Sequence, residues 1–193
     1  IFKSVNIGKL KKVDFDLPDF QEYRVISLIK DQIVTDKGTI KFPNKVKIDD
    51  LVANNLVKIA VVERHKKTGN VGLGLLKGFG LRKGAIAISI GHDSHNIIVV
   101  GLNSKDMYKA VKEIERLQGG IAVVENGHLV DALSLEIAGL MSKDSIPEVA
   151  KKLKKMKEKV YSMGVTRQSP FMTLSFMALP VIPSLKITDQ GLF

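Results

Sequence analysis

Two stretches of the chain place apolar residues at helical spacing, and both carry helix-end signals. In residues 105–118, apolar positions recur three and four residues apart from Met107 to Leu117, which is the period of one helix face. Ser104 precedes this stretch as a candidate N-cap, and glycines 119 and 120 follow it. Residues 146–163 show the same spacing after Ser145 and Glu148, which match a capping box. We therefore expect two amphipathic helices, at about 105–118 and 146–163.

Shorter apolar runs between turn residues predict β-strands. They lie at 23–29, 57–63, 71–76, 85–90 and 96–100, and the weak alternation in 57–63 predicts a strand buried on both faces. Residues 121–125 and 128–135 flank an Asn126-Gly127 turn and predict a hairpin. Eight of the sixteen glycines fall within 69–101. That density suits turns and bulges in a curved sheet, or close passage of the chain over another segment or a ligand.

The order of these elements predicts an α+β domain, in which a mixed or antiparallel, glycine-rich sheet is flanked by the two helices. Residues 31–55 mix turn signals with short apolar pieces, so we expect loops and at most a short strand there. Near the end, apolar runs alternate with Pro180 and Pro183 and predict packed coil with a strand. Residues 1–20 are expected to be a lead-in from a preceding unit, which leaves the domain at 21–193.

The charge balance is basic, with a net charge of +10, and this raises the question of nucleic-acid binding. Much of the excess comes from lysines 151, 152, 154, 155, 157 and 159. These lysines alternate with an apolar stripe, so the pattern favours a solvated helix face. Tryptophan is absent and only three tyrosines are present, although single-strand binders use aromatic side chains to stack bases. We therefore do not expect nucleic acid as a partner.

Composition also excludes several classes of protein. Without cysteine the chain has no disulfide, thiolate metal site or cysteine nucleophile, which fits a reducing, cytoplasmic compartment. No apolar run approaches ~20 residues, so no transmembrane helix or membrane partner is expected. The string 72–78 has G-x-G without the rest of the dinucleotide fingerprint, and neither a P-loop nor G-x-S-x-G is present.

The densest polar segment lies between two predicted strands. It consists of His92, Asp93, Ser94, His95 and Asn96. Three interpretations of this segment stay open: a polar turn, the hydrogen-bonding wall of a site, and a metal site with His92 and His95 as ligands. The metal interpretation is the weakest, because a catalytic zinc site needs three protein ligands and the spacing supplies no third. A second and weaker candidate, around Arg64 and His65, ends the strand at 57–63 and suits a charged hairpin end or an anion-binding surface.

Several strings along the chain resemble the C-terminal domain of microbial adenine deaminases. They occur in order at 68–74, 77–81, 83–87, 92–101, 137–142, 170–176, 178–183, 185–186 and 188–189. The resemblance covers roughly 23–193 and includes the whole polar segment.

The resemblance implies hydrolysis of adenine to hypoxanthine and ammonia by a metal-dependent amidohydrolase. In that family a TIM-like barrel carries a two-metal centre that uses manganese or iron. This chain has no H-x-H pair and too few residues for such a barrel. The family's metal ligands and catalytic acid therefore cannot be placed on it, and we expect it to bind no metal and to be inactive alone. The first residue is isoleucine, which fits the C-terminal part of a longer enzyme.

On this view, residues 92–96 reach the mouth of the barrel site or the interface with the barrel. Asp93, Ser94 and His95 would form hydrogen bonds there, and His92 and Asn96 would support them. The expected partners are adenine, the barrel domain and further copies in a homo-oligomer. Two other functions stay open: a non-catalytic assembly module, and a nucleic-acid binder that uses the basic helix.

Overall fold

A mixed sheet of eight strands runs through the computed structural model, which describes residues 2–193. Its strands are β1 (Glu22–Leu28), β2 (Thr35–Lys41), β3 (Leu56–Val62), β4 (Val71–Lys77), β5 (Ala85–Ile88), β6 (Ile97–Gly101), β7 (Gly120–Glu125) and β8 (His128–Ser134). They lie in the order β2-β1-β4-β3-β6-β5-β7-β8. Strands β1 and β4 pair in parallel and the other neighbours are antiparallel.

Helices cover both faces of this sheet. They are α1 (Ile48–Ala53), α2 (Ser104–Leu117), α3 (Ile146–Ser162) and α4 (Pro170–Ser175), and a small separate ribbon pairs β9 (Ile187–Thr188) with β10 (Gly191–Leu192). The α+β class and the two long amphipathic helices are therefore confirmed. Every residue of β3, β5 and β6 is buried, because both faces of these strands are covered, so their sequences show no polar alternation.

The first face of the sheet is closed by α2 and the N-terminal segment. Met107 and Ile114 of α2 pack with Val5, Ile7 and Phe15 in one apolar cluster. A 3₁₀ helix at Lys12–Phe15 holds this segment against α2. Residues 4–15 thus contribute side chains to the core of the same body.

The N-cap of α2 differs from the prediction. Asn103, rather than Ser104, is the N-cap, and its side-chain oxygen accepts the N–H of Asp106 at 2.8 Å. Ser104 is the first helical residue, and its hydroxyl donates to the carbonyl of Phe15 at 3.0 Å. The amide side chain of Asn103 reaches the first turn, which leaves the serine hydroxyl free for a tertiary contact.

The second face carries α1, α3, α4 and the β9–β10 ribbon. In α3, Met156 and Val160 are buried, while Lys151, Lys154 and Lys159 are exposed, so the predicted solvated lysine face is confirmed. The predicted capping box is also present, since the Glu148 carboxylate accepts the N–H and the hydroxyl of Ser145 at 2.9 and 2.6 Å.

Two stretches contain more regular structure than the sequence predicted. Residues 31–55 hold a full strand, β2, and the short helix α1. Strand β2 forms one edge of the sheet and is largely exposed, so it lacks the apolar residues that would reveal it. The C-terminal run predicted as coil contains α4 and a 3₁₀ turn, because Pro170 lies in the first turn of a helix, a position that tolerates proline.

The glycines of β4 mark a close crossing of chain over chain. A Cβ at Gly72 would lie 1.9 Å from the carbonyl oxygen of Thr188, and one at Gly74 would lie 2.9 Å from the side chain of Leu192. The β9–β10 ribbon therefore lies directly on β4. Of the alternatives that the glycine-rich sequence left open, passage of another segment explains these two positions.

Candidate functional site

The polar segment forms the turn that joins β5 to β6. Asp93 and His95 adopt left-handed backbone angles, with φ of 76° and 51°, a region in which Asp and His are more frequent than most residues. Asp93 and Ser94 are exposed at the tip, while His92 and His95 are half-buried and Asn96 is buried. The segment is thus a turn whose tip faces solvent and whose base enters the protein. We call residues 92–96 the polar turn.

Asn96 ties the polar turn to two distant parts of the chain. Its side-chain oxygen accepts the backbone N–H of Arg64 at 3.3 Å. Its amide nitrogen donates to one carboxylate oxygen of Asp189 at 3.2 Å, and Asn70 donates to the other at 3.3 Å. Asp189 lies in the turn between β9 and β10, so the C-terminal ribbon, β3 and the polar turn meet here.

Arg64 is the central side chain of the site, although the sequence ranked it as a weaker candidate. It is only 2% exposed. Its Nε donates to the carbonyl of His95, and its Nη2 donates to the carbonyl of Ala138 at 3.2 Å. Among residues 2–193 it forms no ion pair, and burial lowers its pKa. The guanidinium group therefore joins the polar turn to residues 138–139.

Gly139 makes room for this buried guanidinium group. Its φ is +73°, and a Cβ there would lie 2.1 Å from Arg64 Nη1. Its carbonyl accepts the hydroxyl of Ser89 at 2.5 Å, which fixes the loop that Arg64 contacts. Glycine is therefore required for both its backbone angle and its lack of a side chain.

The three histidines near the turn differ in their surroundings. His65 is exposed, and its Nε2 lies 2.7 Å from the carbonyl oxygen of Ser94. The His92 ring stacks against Phe176 with 4.4 Å between centroids, and its backbone N–H donates to Ser175. Burial lowers the pKa of His95, and the charges of Arg64, His92 and His65 lower it further, against an opposite effect of Asp93.

Glu63, the acid next to Arg64 in the sequence, accepts its hydrogen bonds from residues 65–68 of its own loop. Burial would raise the pKa of Glu63, but the N–H groups of Thr68, Lys66 and His65 and the Thr68 hydroxyl outweigh it, so the pKa is lowered. The N–H groups of Lys66 and Thr68 donate at 2.7 and 3.0 Å. Glu63 therefore stabilises the 65–68 turn and does not compensate Arg64.

An apolar cavity of about 380 Å³ lies beside the polar turn. Ile90 and Ser175, which neighbour His92, contribute to its wall, as do Leu140 and Leu153. The cavity lies between the sheet and helices α3 and α4, and residues of all three line it. Its lining is almost entirely apolar, so it differs in chemistry from the polar turn.

The structure therefore brings all seven predicted residues into one region. Sequence analysis missed Ala138 and Gly139, the backbone of Ser175, and the role of Asp189. These residues are 40 or more positions away from the polar turn, and no local pattern links them to it. Gly139 is the single glycine within 137–142, and its φ is positive. A single glycine between apolar residues can indicate such a backbone angle, so this signal was present in the sequence.

The donor groups do not fit a metal centre within the described residues. No group of three or more His, Cys, Asp or Glu side chains in 2–193 could hold an ion. His92 and His95 thus lack the third ligand that their spacing also failed to supply. Among the helices in 2–193, none combines the length and apolarity needed to cross a bilayer.

Comparison with known proteins gives a consistent result. The family profile described as adenine deaminase C-terminal domain matches residues 32–193. A protein of Petrotoga mobilis named adenine deaminase is 52% identical over the whole chain, which covers 34% of that protein. Adenine deaminase of Dehalococcoides mccartyi is 44% identical over the whole chain and 34% of its own length. Adenine deaminase 2 of Carboxydothermus hydrogenoformans is 47% identical over 88% of the chain and 30% of its own length. The chain therefore spans about a third of these relatives.

Proposed function

The chain belongs to the adenine deaminase C-terminal domain family, and on this premise we propose that it forms the C-terminal part of a cytoplasmic enzyme that hydrolyses adenine. In this reaction water adds to the ring carbon that bears the amino group, and ammonia leaves to give hypoxanthine. Residues 21–193 would form the accessory domain, and residues 1–20, which also pack on its sheet through Val5, Ile7 and Phe15, would connect it to a catalytic barrel. The match to about a third of each relative supports this division.

The metal of this reaction is assigned to residues outside the chain. Manganese or iron, when bound in a two-metal barrel site, would supply an activated water near neutral pH. Because no donor set in 2–193 fits such a centre, we assign no step of the reaction to a metal held by this domain. Its own residues would orient groups, exclude water and hold protons at the edge of the barrel site.

The exposed tip of the polar turn carries the proposal. Asp93 and Ser94 are exposed, and Arg64 and Asn96 fix the base of the turn. Burial lowers the pKa of His95 and so favours the neutral ring, which can both accept and donate a hydrogen bond. We assign Asp93, Ser94 and His95 to contacts at the barrel site or its interface, with His92 and Asn96 as supporting residues.

The first experiment measures ammonia release from adenine by this chain alone and by the longer protein, with manganese or iron present. We expect turnover only in the longer protein, or when the barrel portion is added to this chain. Turnover by the chain alone would contradict the division proposed above. Continued inactivity of the longer protein would contradict adenine hydrolysis itself.

The second experiment tests the polar turn in the longer protein. We expect Asp93→Ala and His95→Ala each to lower kcat/KM by at least about tenfold, the scale of one lost hydrogen bond to a charged group, with little loss of thermal stability. His128→Ala serves as the control, because His128 is exposed in the β7–β8 hairpin, outside the site. Unchanged kinetics in both turn variants would leave the segment as a structural turn.

A second candidate function is assembly of identical subunits. Strand β8 is an edge of the sheet, and Leu129 and Val130 at its start are exposed. An exposed edge strand with apolar residues can pair with another chain. Light scattering by the 193-residue chain tests this function, which predicts an oligomer that Val130→Lys converts to a monomer.

A further inference from the structure

Unpaired polar atoms are concentrated around the polar turn. Among residues 2–193, five buried side-chain nitrogen or oxygen atoms make no hydrogen bond. Three of these belong to Arg64 and to the polar turn that it contacts: Arg64 Nη1, His92 Nε2 and His95 Nδ1. Folded proteins pair nearly all of their buried polar groups, so three unpaired nitrogens in one place indicate a role beyond holding the fold.

The buried guanidinium group at the same place is not balanced by an ion pair. Arg64 is buried without an ion-pair partner among residues 2–193. The Glu63 carboxylate accepts from its own loop, and Asp189 accepts from Asn70 and Asn96. Asp93 is exposed and forms no ion pair. A buried, uncompensated guanidinium group is costly in free energy, and a bound anion would remove that cost.

We propose that Arg64, His92 and His95 form a receptor for a carboxylate group. A guanidinium N–H and imidazole N–H groups can donate to carboxylate oxygens, and the charges of the guanidinium group and the carboxylate strengthen these hydrogen bonds. The carboxylate belongs either to a small free anion or to an Asp or Glu side chain in the rest of the longer protein. The chemistry is the same in both cases, and it does not depend on adenine being the substrate.

Entry of the carboxylate requires the polar turn to move. The unpaired nitrogens are buried, whereas Asp93 and Ser94 at the tip of the turn are exposed. The tip is held by His65 at the Ser94 carbonyl and by Arg64 at the His95 carbonyl. An outward movement of this tip gives access to the guanidinium group. The Asp93 carboxylate opposes entry of a second negative charge, so Asp93→Asn is expected to strengthen binding.

The experiment titrates acetate into the 193-residue chain and follows the imidazole ¹⁵N and ¹H signals at constant ionic strength set with sodium chloride. We expect saturable shifts of the His92 and His95 signals and a raised pKa of His95, because the bound carboxylate favours the imidazolium form. Arg64→Gln should weaken binding at least about tenfold, since it removes a charged donor. His128→Gln is the control and should bind acetate like the parent chain.

A second variant keeps the test valid if Arg64→Gln does not fold. His95→Gln retains a hydrogen-bonding side chain at the exposed turn, and it should also weaken acetate binding. Imidazole shifts that rise linearly with acetate without saturation would contradict the proposed receptor. Shifts that are equal in the parent chain and both variants would contradict it as well.

The same titration on the longer protein identifies the source of the carboxylate. If a side chain of the preceding residues provides it, the pKa of His95 is already raised and acetate no longer binds. If a free anion is the ligand, acetate binds both proteins. A longer protein with a low His95 pKa and no acetate binding would contradict the proposal. Adenine is absent throughout, so this outcome is independent of the proposed deaminase activity.

Discussion

Two buried cations lie at opposite ends of β3, about 20 Å apart along the strand. Lys58, near its start, donates to the carbonyl of Phe15 at 2.8 Å and to the hydroxyl of Ser104 at 2.7 Å. The nearby Asp16 opposes part of the pKa shift that burial causes in Lys58. Arg64, just beyond the end of β3, is equally buried, but within residues 2–193 it forms no ion pair and its Nη1 makes no hydrogen bond.

This difference separates a cation whose burial the domain itself accounts for from one to which we assign a function above. Lys58 joins the N-terminal segment to α2 and β3 and has an acid nearby, so its surroundings account for its burial. Arg64 joins the polar turn to residues 138–139, but its charge is not balanced by this domain. Under the carboxylate receptor proposed above, a partner supplies the missing negative charge, which offsets part of the cost of burying the guanidinium group.

The largest expected effect comes from Gly139→Ala, which perturbs the surroundings of Arg64. The new Cβ would lie 2.1 Å from Arg64 Nη1, at a backbone φ of +73°. The guanidinium group must move, and both of its carbonyl contacts are lost, so we expect the free energy of unfolding to fall by about 3 kcal/mol. Urea denaturation followed by circular dichroism measures this loss.

Gly127→Ala is the matched control for that variant. Its φ is +77°, but its Cβ would meet the end of the Lys105 side chain, which can move aside. We expect a loss of only about 1 kcal/mol from the backbone angle. Equal losses in the two variants would show that backbone strain alone explains Gly139.

The next effect concerns Lys58 at alkaline pH. Burial lowers the pKa of Lys58 from 10.5 to about 8. Between these values the unfolded chain holds a proton that the folded chain has released. The free energy of unfolding therefore rises with pH in this window, by up to about 2 kcal/mol for this residue. Denaturation curves at pH 7.5, 9 and 10 measure the slope.

Lys58→Met should reduce that slope, and Lys154→Met should not, because Lys154 is exposed on α3. Both variants remove one positive charge, so their difference isolates burial from net charge. Part of the slope should persist in Lys58→Met, since burial also lowers the pKa of Lys186 to about 8. A slope unaffected by Lys58→Met would contradict the assignment.

The smallest effect is the loss of stability that we expect from His95, next to Arg64, in mild acid. Burial and the neighbouring charges lower the pKa of His95 below its ordinary 6.5. As the pH falls through 6.5, the unfolded chain gains a proton that folded His95 does not yet take up, so stability decreases. Because the His95 ring is half-exposed, we expect a loss well below that of Gly139→Ala.

Thermal unfolding between pH 7 and 5 measures this loss in the parent chain and in His95→Gln. We expect the acid loss to be smaller in His95→Gln and unchanged in His128→Gln, which alters an exposed hairpin histidine. An identical acid loss in all three proteins would show that other groups control stability in this range.

Local patterns predicted the elements that have strong periodicity or turn chemistry. The stripe from Met107 to Leu117 and the capping box at Ser145 located α2 and α3. The Asn126-Gly127 turn located the β7–β8 hairpin, because both residues adopt the positive φ that a tight turn requires. Helix α1 was missed, and β2 was anticipated only as a short strand without bounds, because a six-residue helix and an exposed edge strand bury too few apolar side chains.

The candidate site was predicted only in part, for a similar reason. Five consecutive polar residues between apolar strands identified the polar turn, and its hydrogen-bonding groups are visible in the sequence. The importance of Arg64 was not visible, because a charged residue at a strand end is ordinarily solvated. Its burial follows from residues 138–139, more than seventy positions later, and from the turn that ends 32 positions later at Asn96.

The sequence by itself determined the family, the α+β class, the two long helices and the location of the polar turn, because these depend on local periodicity and on contiguous strings. Only the tertiary structure decided which cations are buried, which acids compensate them, and that Arg64 forms no ion pair with the described residues. Burial and charge balance arise from segments that are distant in the chain and meet in space, so no local pattern contains them. The contact of the β9–β10 ribbon with Gly72 and the contact of Gly139 with Arg64 also join segments that are distant in the chain.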